Sequence, residues 1–415
     1  MMRPSTKSWL PILSVLLLLL AACGKQVGTA APSGSYRAGI TLPSGELPFG
    51  LDVAQENGAP VATIVNGDNR VRAERTRFEH GRLILDFPSY DSSLEAELKP
   101  DGTLAGTAHL YRRSGRIDAS LTAKPGIAWR FFARQDTPAA ALTGRWLIEK
   151  QGAKPEKGLL LLTQAGNRLT GTVQFPSGDE RFLVGEVSGT QFALSTFDGN
   201  QGTVWKGTIR GDGSLAGDSY GATSKTPDGW TAKPQAASPG DQVEPIAEEK
   251  PPVDRIAFTF PDVDGKPVSL ADARFKGKVV VVSIGGTWCP NCHDETAYLA
   301  PYVDRRRPEG LEAIGLQFEY DADPVRSARQ IKRFAERYQI HYPLLIAGVS
   351  TPEGTKKALP ALGGVKVYPT TLFIDRKGRL RAVHVGYAGP AAGALHDEAI
   401  RRFDTLVSTL LAEKA

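Results

Sequence analysis

Residues 286–295 read GTWCPNCHDE, and two kinds of chemistry fit those letters. Cys289, Cys292 and His293 satisfy C-x-x-C-H, the pattern by which a haem is tied to a chain through two thioethers. Cys289 and Cys292 alone satisfy C-x-x-C, a dithiol that cycles to a disulfide. The flanks weigh for the second. Lys278 to Gly286, KVVVVSIGG, is an apolar, β-branched run suited to a strand covered on both faces, whereas haem c domains are mostly helical. After Cys289 the spacing is helical: Cys292, Thr296, Leu299 and Val303 fall on one stripe, and Pro290 takes a first-turn position where its missing N–H costs nothing. A haem would also need a distal ligand, commonly methionine, and the only methionines are Met1 and Met2. Two cysteines without a second pair do not close a tetrahedral zinc site.

At a strand-to-helix junction Cys289 is the helix N-cap, where unpaired N–H groups and the helix dipole favour thiolate and bring a cysteine pKa to about 3.5–7.5. Cys289 is therefore the attacking sulfur, and Cys292, one turn on and facing inward, resolves the mixed disulfide. Trp288 would shield one side of the pair. The redox-active disulfide is itself the reactive group, with no cofactor and no metal expected. His293 is expected on the exposed side of the helix, with no role.

Around this motif strands and helices alternate. Residues 258–270 read as a hairpin turning at Asp264-Gly265, 311–320 as a strand, and Asp323-Pro324 as the cap of a helix with inner face Ala328, Ile331, Phe334 and Tyr338. A strand at 342–348, a short helix near Lys356, a hairpin over 370–386 and a terminal helix bearing Ile400, Phe403, Val407 and Leu410 complete the pattern.

Four separated stretches in this order, GTWCPNCHDE, GLQFEYD, VYPTTLFIDRKGRL and HVGYAGP, resemble the thioredoxin superfamily, and within it the TlpA-like envelope thiol-disulfide oxidoreductases, also grouped as redoxins. The resemblance covers about residues 255–413. It implies that Pro369 is cis and faces the cysteine pair, that the backbone beside Tyr368 binds an incoming substrate peptide, and that Glu319 is an acidic residue beneath the disulfide. If buried, Glu319 would take the Cys292 proton during resolution. The resemblance also implies a reductant. Ala297 departs from it, since close relatives often carry a helix-kinking proline there. A peroxiredoxin would share the fold, but normally has Thr where this chain has Gly286.

Upstream the character changes. Residues 33–234 are glycine-rich with period-two runs such as Leu83, Leu85, Phe87, the mark of antiparallel strands. DGTLAG at 101–106 returns as DGSLAG at 212–217, and TAKP at 122 returns at 231. The expected fold is thus tandem antiparallel β-barrel or sandwich repeats at 33–125 and 140–234, a proline-rich linker at 235–252, and an α/β thioredoxin-like domain at 253–415. Spacing the redox domain from a lipid surface is the expected task of the β-repeats. A ligand cup or a scaffold led by them is the alternative. On the spacer reading, residues 253–415 act alone about as well as the whole chain.

Arg3 and Lys7 precede an apolar run, Trp9 to Leu20, too short for a membrane span. Residues 1–22 read as a signal, and Leu20-Ala21-Ala22-Cys23 resembles a bacterial lipobox that acylates Cys23. Gly24, rather than Asp, follows, which by envelope sorting rules carries no inner-membrane retention signal. The expectation is a lipid-anchored, periplasm-facing envelope protein, at the outer membrane if Gram-negative. Expected partners are protein or small-molecule disulfide or thiol substrates and an envelope electron donor. A formal net charge of +5 over 415 residues, without a basic block beyond Arg305-Arg306-Arg307, offers nothing for nucleic acid.

Overall fold

The computed structural model describes residues 31–152, 155–235 and 247–414; the signal segment, Cys23 and residues 236–246 of the expected linker lie outside the described residues. Nine strands come first: β1 (Gly34–Leu42), β2 (Gly45–Glu56), β3 (Ala59–Asn66), β4 (Asn69–Arg72), β5 (Arg75–Glu79), β6 (Arg82–Phe87), β7 (Ser92–Leu98), β8 (Leu104–Arg112) and β9 (Gly115–Pro125). They form an antiparallel sheet in the order β4-β3-β2-β1-β9-β8-β7-β6-β5. Side chains alternate in burial along them, so Leu83, Leu85 and Phe87 of β6 point inward while their neighbours face out.

The second set repeats the first: β10 (Gly144–Lys150), β11 (Glu156–Ala165), β12 (Arg168–Phe175), β13 (Gly178–Asp179), β14 (Leu183–Ser188), β15 (Gln191–Phe197), β16 (Gly202–Ile209), β17 (Leu215–Gly221) and β18 (Asp228–Pro234). Their order, β11-β10-β18-β17-β16-β15-β14-β12-β13, mirrors that of the first sheet, and a β11–β12 pairing closes a barrel. In the first repeat the seam lies between β3 and β5, the strands that correspond to β12 and β14, where the Ala62 N–H donates to Thr76 Oγ1 at 3.1 Å. The two barrels are joined through apolar side chains. Phe197, Val204 and Tyr220 of the second belong to the core of the first, and Asn66 Nδ2 donates to Phe197 O at 2.7 Å.

The redox domain contains β19 (Ala247–Glu249), a hairpin of β20 (Thr259–Pro261) and β21 (Pro267–Ser269), then β22 (Val279–Gly285), α1 (Pro290–Arg306), β23 (Leu311–Glu319), α2 (Pro324–Tyr338), β24 (Leu344–Val349), α3 (Pro352–Ala358), β25 (Thr370–Ile374), β26 (Leu380–Val385) and α4 (Ala394–Ala412). The sheet order is β19-β26-β25-β22-β23-β24. β19 falls inside the expected linker: residues 247–249 pair antiparallel with β26, because the exposed edge of β26 offers unpaired backbone groups. Central β22 is buried along its whole length. Val279 and Val281 pack against α1, α2 and α4, while Val280, Val282 and Ile284 face the opposite layer. Pro301 lies inside α1, one turn beyond Ala297.

Candidate active site

β22 delivers the chain to the end of the sheet, and Gly286–Trp288 turn it into α1. Cys289 caps that helix, and its Sγ accepts the N–H of Cys292 at 3.2 Å. The two cysteines form a disulfide with Cα atoms 5.2 Å apart, and are only 4 % and 3 % exposed. The Tyr368–Pro369 bond is cis, and Tyr368 O lies 3.7 Å from Cys289 Sγ. Trp288 stacks on Tyr320 with centroids 4.7 Å apart, meets Tyr368 edge-on, and donates its indole N–H to Phe318 O at 2.9 Å. A Cβ at Gly286 would lie 2.6 Å from Phe318 O and 2.3 Å from Trp288 Nε1. The threonine of a peroxidatic site has no room there.

Two carboxylates are buried near the pair. Glu319, at the end of β23, accepts from the Thr287 N–H at 2.9 Å and from Thr287 Oγ1 at 2.8 Å. Burial pushes its pKa up to about 7 against those hydrogen bonds. Its direct hold is on the turn leading into Cys289. Glu295 escaped the sequence reading. It stands three residues after Cys292 in α1, where it accepts from Ser283 Oγ at 2.6 Å and from Thr371 Oγ1, and burial raises its pKa. Its signal was present: an acidic residue adjoining the apolar stripe of a helix, one turn from a cysteine.

His293 is not exposed. It is 1 % accessible, stacked on Tyr90 of the first barrel at 3.9 Å and edge-on to Phe334. A carbonyl can only accept, so Nε2–H donates to Thr287 O at 2.8 Å and Nδ1 accepts from the Tyr338 hydroxyl at 2.8 Å. Burial and the nearby guanidinium of Arg337 hold it neutral. With both nitrogens bound inside the protein, the C-x-x-C-H string does not present a haem ligand. Among the described residues no group of three or more His, Cys, Asp or Glu converges as a metal site would.

The face of α1 opposite its apolar stripe is covered by the barrels. Arg181 bridges Asp198 of the second barrel and Asp294 of α1, both at 2.8 Å. Gln201 Nε2 donates to Trp288 O at 3.2 Å. With its amide oriented to satisfy both groups, Asn291, between the two cysteines, donates to Asp179 Oδ1 and O and accepts from the Asp179 N–H at 3.0 Å. Gly178 has φ 137°, and a Cβ there would fall on the Asn291 amide. On the first barrel, Gln330 of α2 donates to Pro88 O and Ser89 O, while Arg337 pairs with Glu74. The β-repeats are thus part of the redox centre's wall, against the expectation of a detached spacer.

Comparison with known proteins agrees with this geometry. Residues 253–383 match the AhpC/TSA family. Over 129 residues the chain is 30 % identical to the thioredoxin-like protein YneN of Bacillus subtilis, covering 31 % of this chain and 68 % of that one. Over 135 residues it is 31 % identical to the thiol-disulfide oxidoreductase ResA of Bacillus thuringiensis subsp. konkukian, covering 32 % and 69 %. The chain belongs to the thioredoxin superfamily, in its TlpA-like redoxin branch. Among solved structures it is similar to a thiol:disulfide interchange protein of the thioredoxin family from Chlorobium tepidum TLS, at 26 % identity, 40 % of this chain, 100 % of that chain and a TM-score of 0.29. As a member of the thioredoxin superfamily with a closed Cys289–Cys292 pair, it is a thiol-disulfide oxidoreductase. The matches to YneN and ResA cover about a third of this chain.

Proposed function

We propose that this oxidoreductase is a lipid-anchored envelope protein that reduces protein or small-molecule disulfides facing the periplasm, its cysteine pair recharged by an envelope electron donor. The observation that carries the reading is the position of Cys289, at a helix N-cap with its sulfur facing the carbonyl beside cis-Pro369. The helix N-terminus favours thiolate there. Cys289 attacks a substrate sulfur, a mixed disulfide forms and one thiol leaves; Cys292 then attacks Cys289 Sγ and releases the second. Glu295, one turn from Cys292, is the carboxylate best placed to take the resolving proton, while Glu319 holds the turn through Thr287. The run Leu20-Ala21-Ala22-Cys23 supports the anchor, and two or more acyl chains make such an anchor stable.

The test has two parts. Cys292→Ser should accumulate mixed disulfides with substrate and Cys289→Ser should not, whereas trapping only through Cys292 would reverse the roles. A reduction potential below about −220 mV fits a reductant, and one near −120 mV would make the protein an oxidant. For the anchor, Cys23→Ser should abolish fatty-acid labelling at the amino end, and persistent labelling would remove the lipobox from the argument.

A further inference from the structure

Beside Trp288 and Pro290, the chain neighbours of Cys289, lies a cleft of about 750 Å³ that neither the redox domain nor the barrels form alone. Trp288, Pro290 and Tyr320 make one wall; Arg112, Arg113, Ser114, Gln201, Thr203 and the Gly221–Thr223 turn make the other. Trp288 and Pro290 immediately flank Cys289, which is itself 4 % exposed and does not line the cleft, so the cleft ends one residue from the attacking sulfur. Its volume falls in the range of about 300–1,000 Å³ usual for small-molecule sites. The lining contains no carboxylate.

Its charge is positive, and neither arginine has a carboxylate to itself. Arg112 is 5 % exposed, yet its guanidinium binds only neutral oxygens: Tyr111 O at 2.7 Å, Asn200 Oδ1 at 2.8 Å and Asn200 O at 2.7 Å. Arg113 lies over the Tyr320 ring and donates to Ser350 O at 2.7 Å and Ser350 Oγ at 3.1 Å. Neither forms an ion pair among the described residues. The surrounding carboxylates are already engaged: Asp198 by Arg181 and the Tyr90 hydroxyl, Asp321 by Arg326 and the Tyr111 hydroxyl, and Glu319 by Thr287. Burial disfavours the charge of Arg112, and the one carboxylate near it, Asp198, is already paired with Arg181; a site that supplies an anion with its ligand lowers that cost.

We propose that this cleft is a substrate pocket for a low-molecular-weight disulfide bearing carboxylates, whose charge is read by Arg112 and Arg113 while its S–S bond lies at Cys289. This deepens the reductase reading and rests on it. The Cys289 thiolate attacks one sulfur of R–S–S–R, giving Cys289–S–S–R, and RS⁻ leaves to take a proton from solvent. Cys292, losing its proton, then attacks Cys289 Sγ, and the second RS⁻ leaves and is protonated. One disulfide is reduced to two thiols, and the protein dithiol is oxidised to its disulfide by the same two electrons.

Single-turnover oxidation of the reduced full chain tests it with three probes: glutathione disulfide (anionic), bis(2-hydroxyethyl) disulfide (uncharged) and cystamine (cationic). Relative to the uncharged probe in the same protein, the anionic one should react about tenfold faster than the cationic one, a preference that shrinks as salt rises. Arg113→Glu should reverse the ranking, and Ser114→Glu, a surface change on the same wall, should move it in the same direction. Equal rates for the three probes, or an Arg113→Glu ranking like the wild type's, would overturn the pocket. So would a charge preference confined to peptides with acidic residues beside their disulfide, since the occupant would then be a protein segment. Failure of even the uncharged disulfide to oxidise the dithiol would sink the reductase reading itself, a distinct result.

Discussion

The β6–β7 loop of the first barrel, residues 88–91, and the β15–β16 loop of the second, residues 198–201, occupy the same place in their repeats and both reach the redox domain. They do different work there. The first grips α2 through Gln330, Arg326 and Arg333, and lays Tyr90 on His293. The second reaches the cysteine turn itself, Gln201 on Trp288 O and Asp198 through Arg181 on Asp294. The loops also bind each other, Tyr90 hydroxyl to Asp198 at 2.7 Å and Ser92 Oγ to Gly199 O at 2.9 Å. The hairpins after the third strand of each repeat diverge in the same manner. Gly67, between β3 and β4, packs on Val184 of the second barrel, whereas Gly178, at the start of β13, packs on Asn291 between the cysteines. What recurs is the framework of strands, and what differs is the turns, each adapted to its neighbour. The second barrel thus brings to the cysteine turn a set of loops distinct from those by which the first grips α2.

The largest break in this comparison should come from Arg181. Arg181→Ala leaves Asp198 and Asp294 buried near each other without their shared cation, which costs about 3–5 kcal/mol. Arg326→Ala, at the partly exposed contacts of the first loop, should cost less, about 1 kcal/mol. Urea midpoints of the two variants measure the difference, and equal losses would show that neither barrel is keyed to the redox domain more tightly than the other.

A smaller effect separates the hairpins. Valine at Gly178 meets both a left-handed backbone and the Asn291 amide, and at Gly67 a left-handed backbone (φ 64°) and Val184. Each should cost about 1–3 kcal/mol. Only Gly178→Val should also change the alkylation rate of reduced Cys289, since only that hairpin sits on the cysteine turn. A matching change in Gly67→Val would mean that the barrels transmit strain as one body.

The cysteine pair, its helix cap, the strand order around it and the repeat were legible because each rests on neighbours in sequence: a cap, a period of two, a period of 3.6, a returning string. His293 was misread, and the contacts of the polar face of α2 went unread, for the opposite reason. Their burial depends on Tyr90 and on residues 88–91, about 200 positions away, and no periodicity reports a partner at that distance. The same holds for Asn291, which reads as the variable dipeptide of a redox motif but is held by Asp179. The β-repeats looked like a spacer because their own strands satisfy their pattern completely, and the docking surface is written in their turns.

The two buried carboxylates sharpen the comparison inside the redox domain. A negative charge beside a thiol disfavours a second one. Glu295→Gln should therefore lower the Cys292 thiol pKa and slow release of the mixed disulfide more than its formation. Glu319→Gln should mainly loosen the Thr287 turn, changing the reactivity of Cys289 with less effect on resolution. Thiol titrations and the two rate constants measured for both variants decide it, and the reverse pattern would return the proton-accepting role to Glu319.

The last effect is one of pH, and it belongs to Asp179. Burial, reinforced by Asp294 and Glu180 and opposed by Arg181, raises its pKa from 3.8 to about 7, and its Oδ2 has no hydrogen-bond partner. A carboxyl whose folded pKa lies above its unfolded value binds its proton more tightly in the folded state. Its contribution to stability is therefore complete below about pH 4 and is lost as pH rises through 7. The hairpin that clasps Asn291 should thus hold more weakly at pH 8 than at pH 5. Asp179→Asn keeps an acceptor for the Asn291 amide and removes the ionisation. Asp294, Glu295 and Glu319 are raised as well, so the slope of the wild type alone does not isolate Asp179; the difference between wild type and Asp179→Asn does. Denaturation midpoints taken between pH 4 and pH 8 should fall less steeply in the variant. Parallel curves would mean that Asp179 ionises in the folded protein as readily as in the unfolded chain, and the contact between the second barrel and the cysteine turn would then be insensitive to pH.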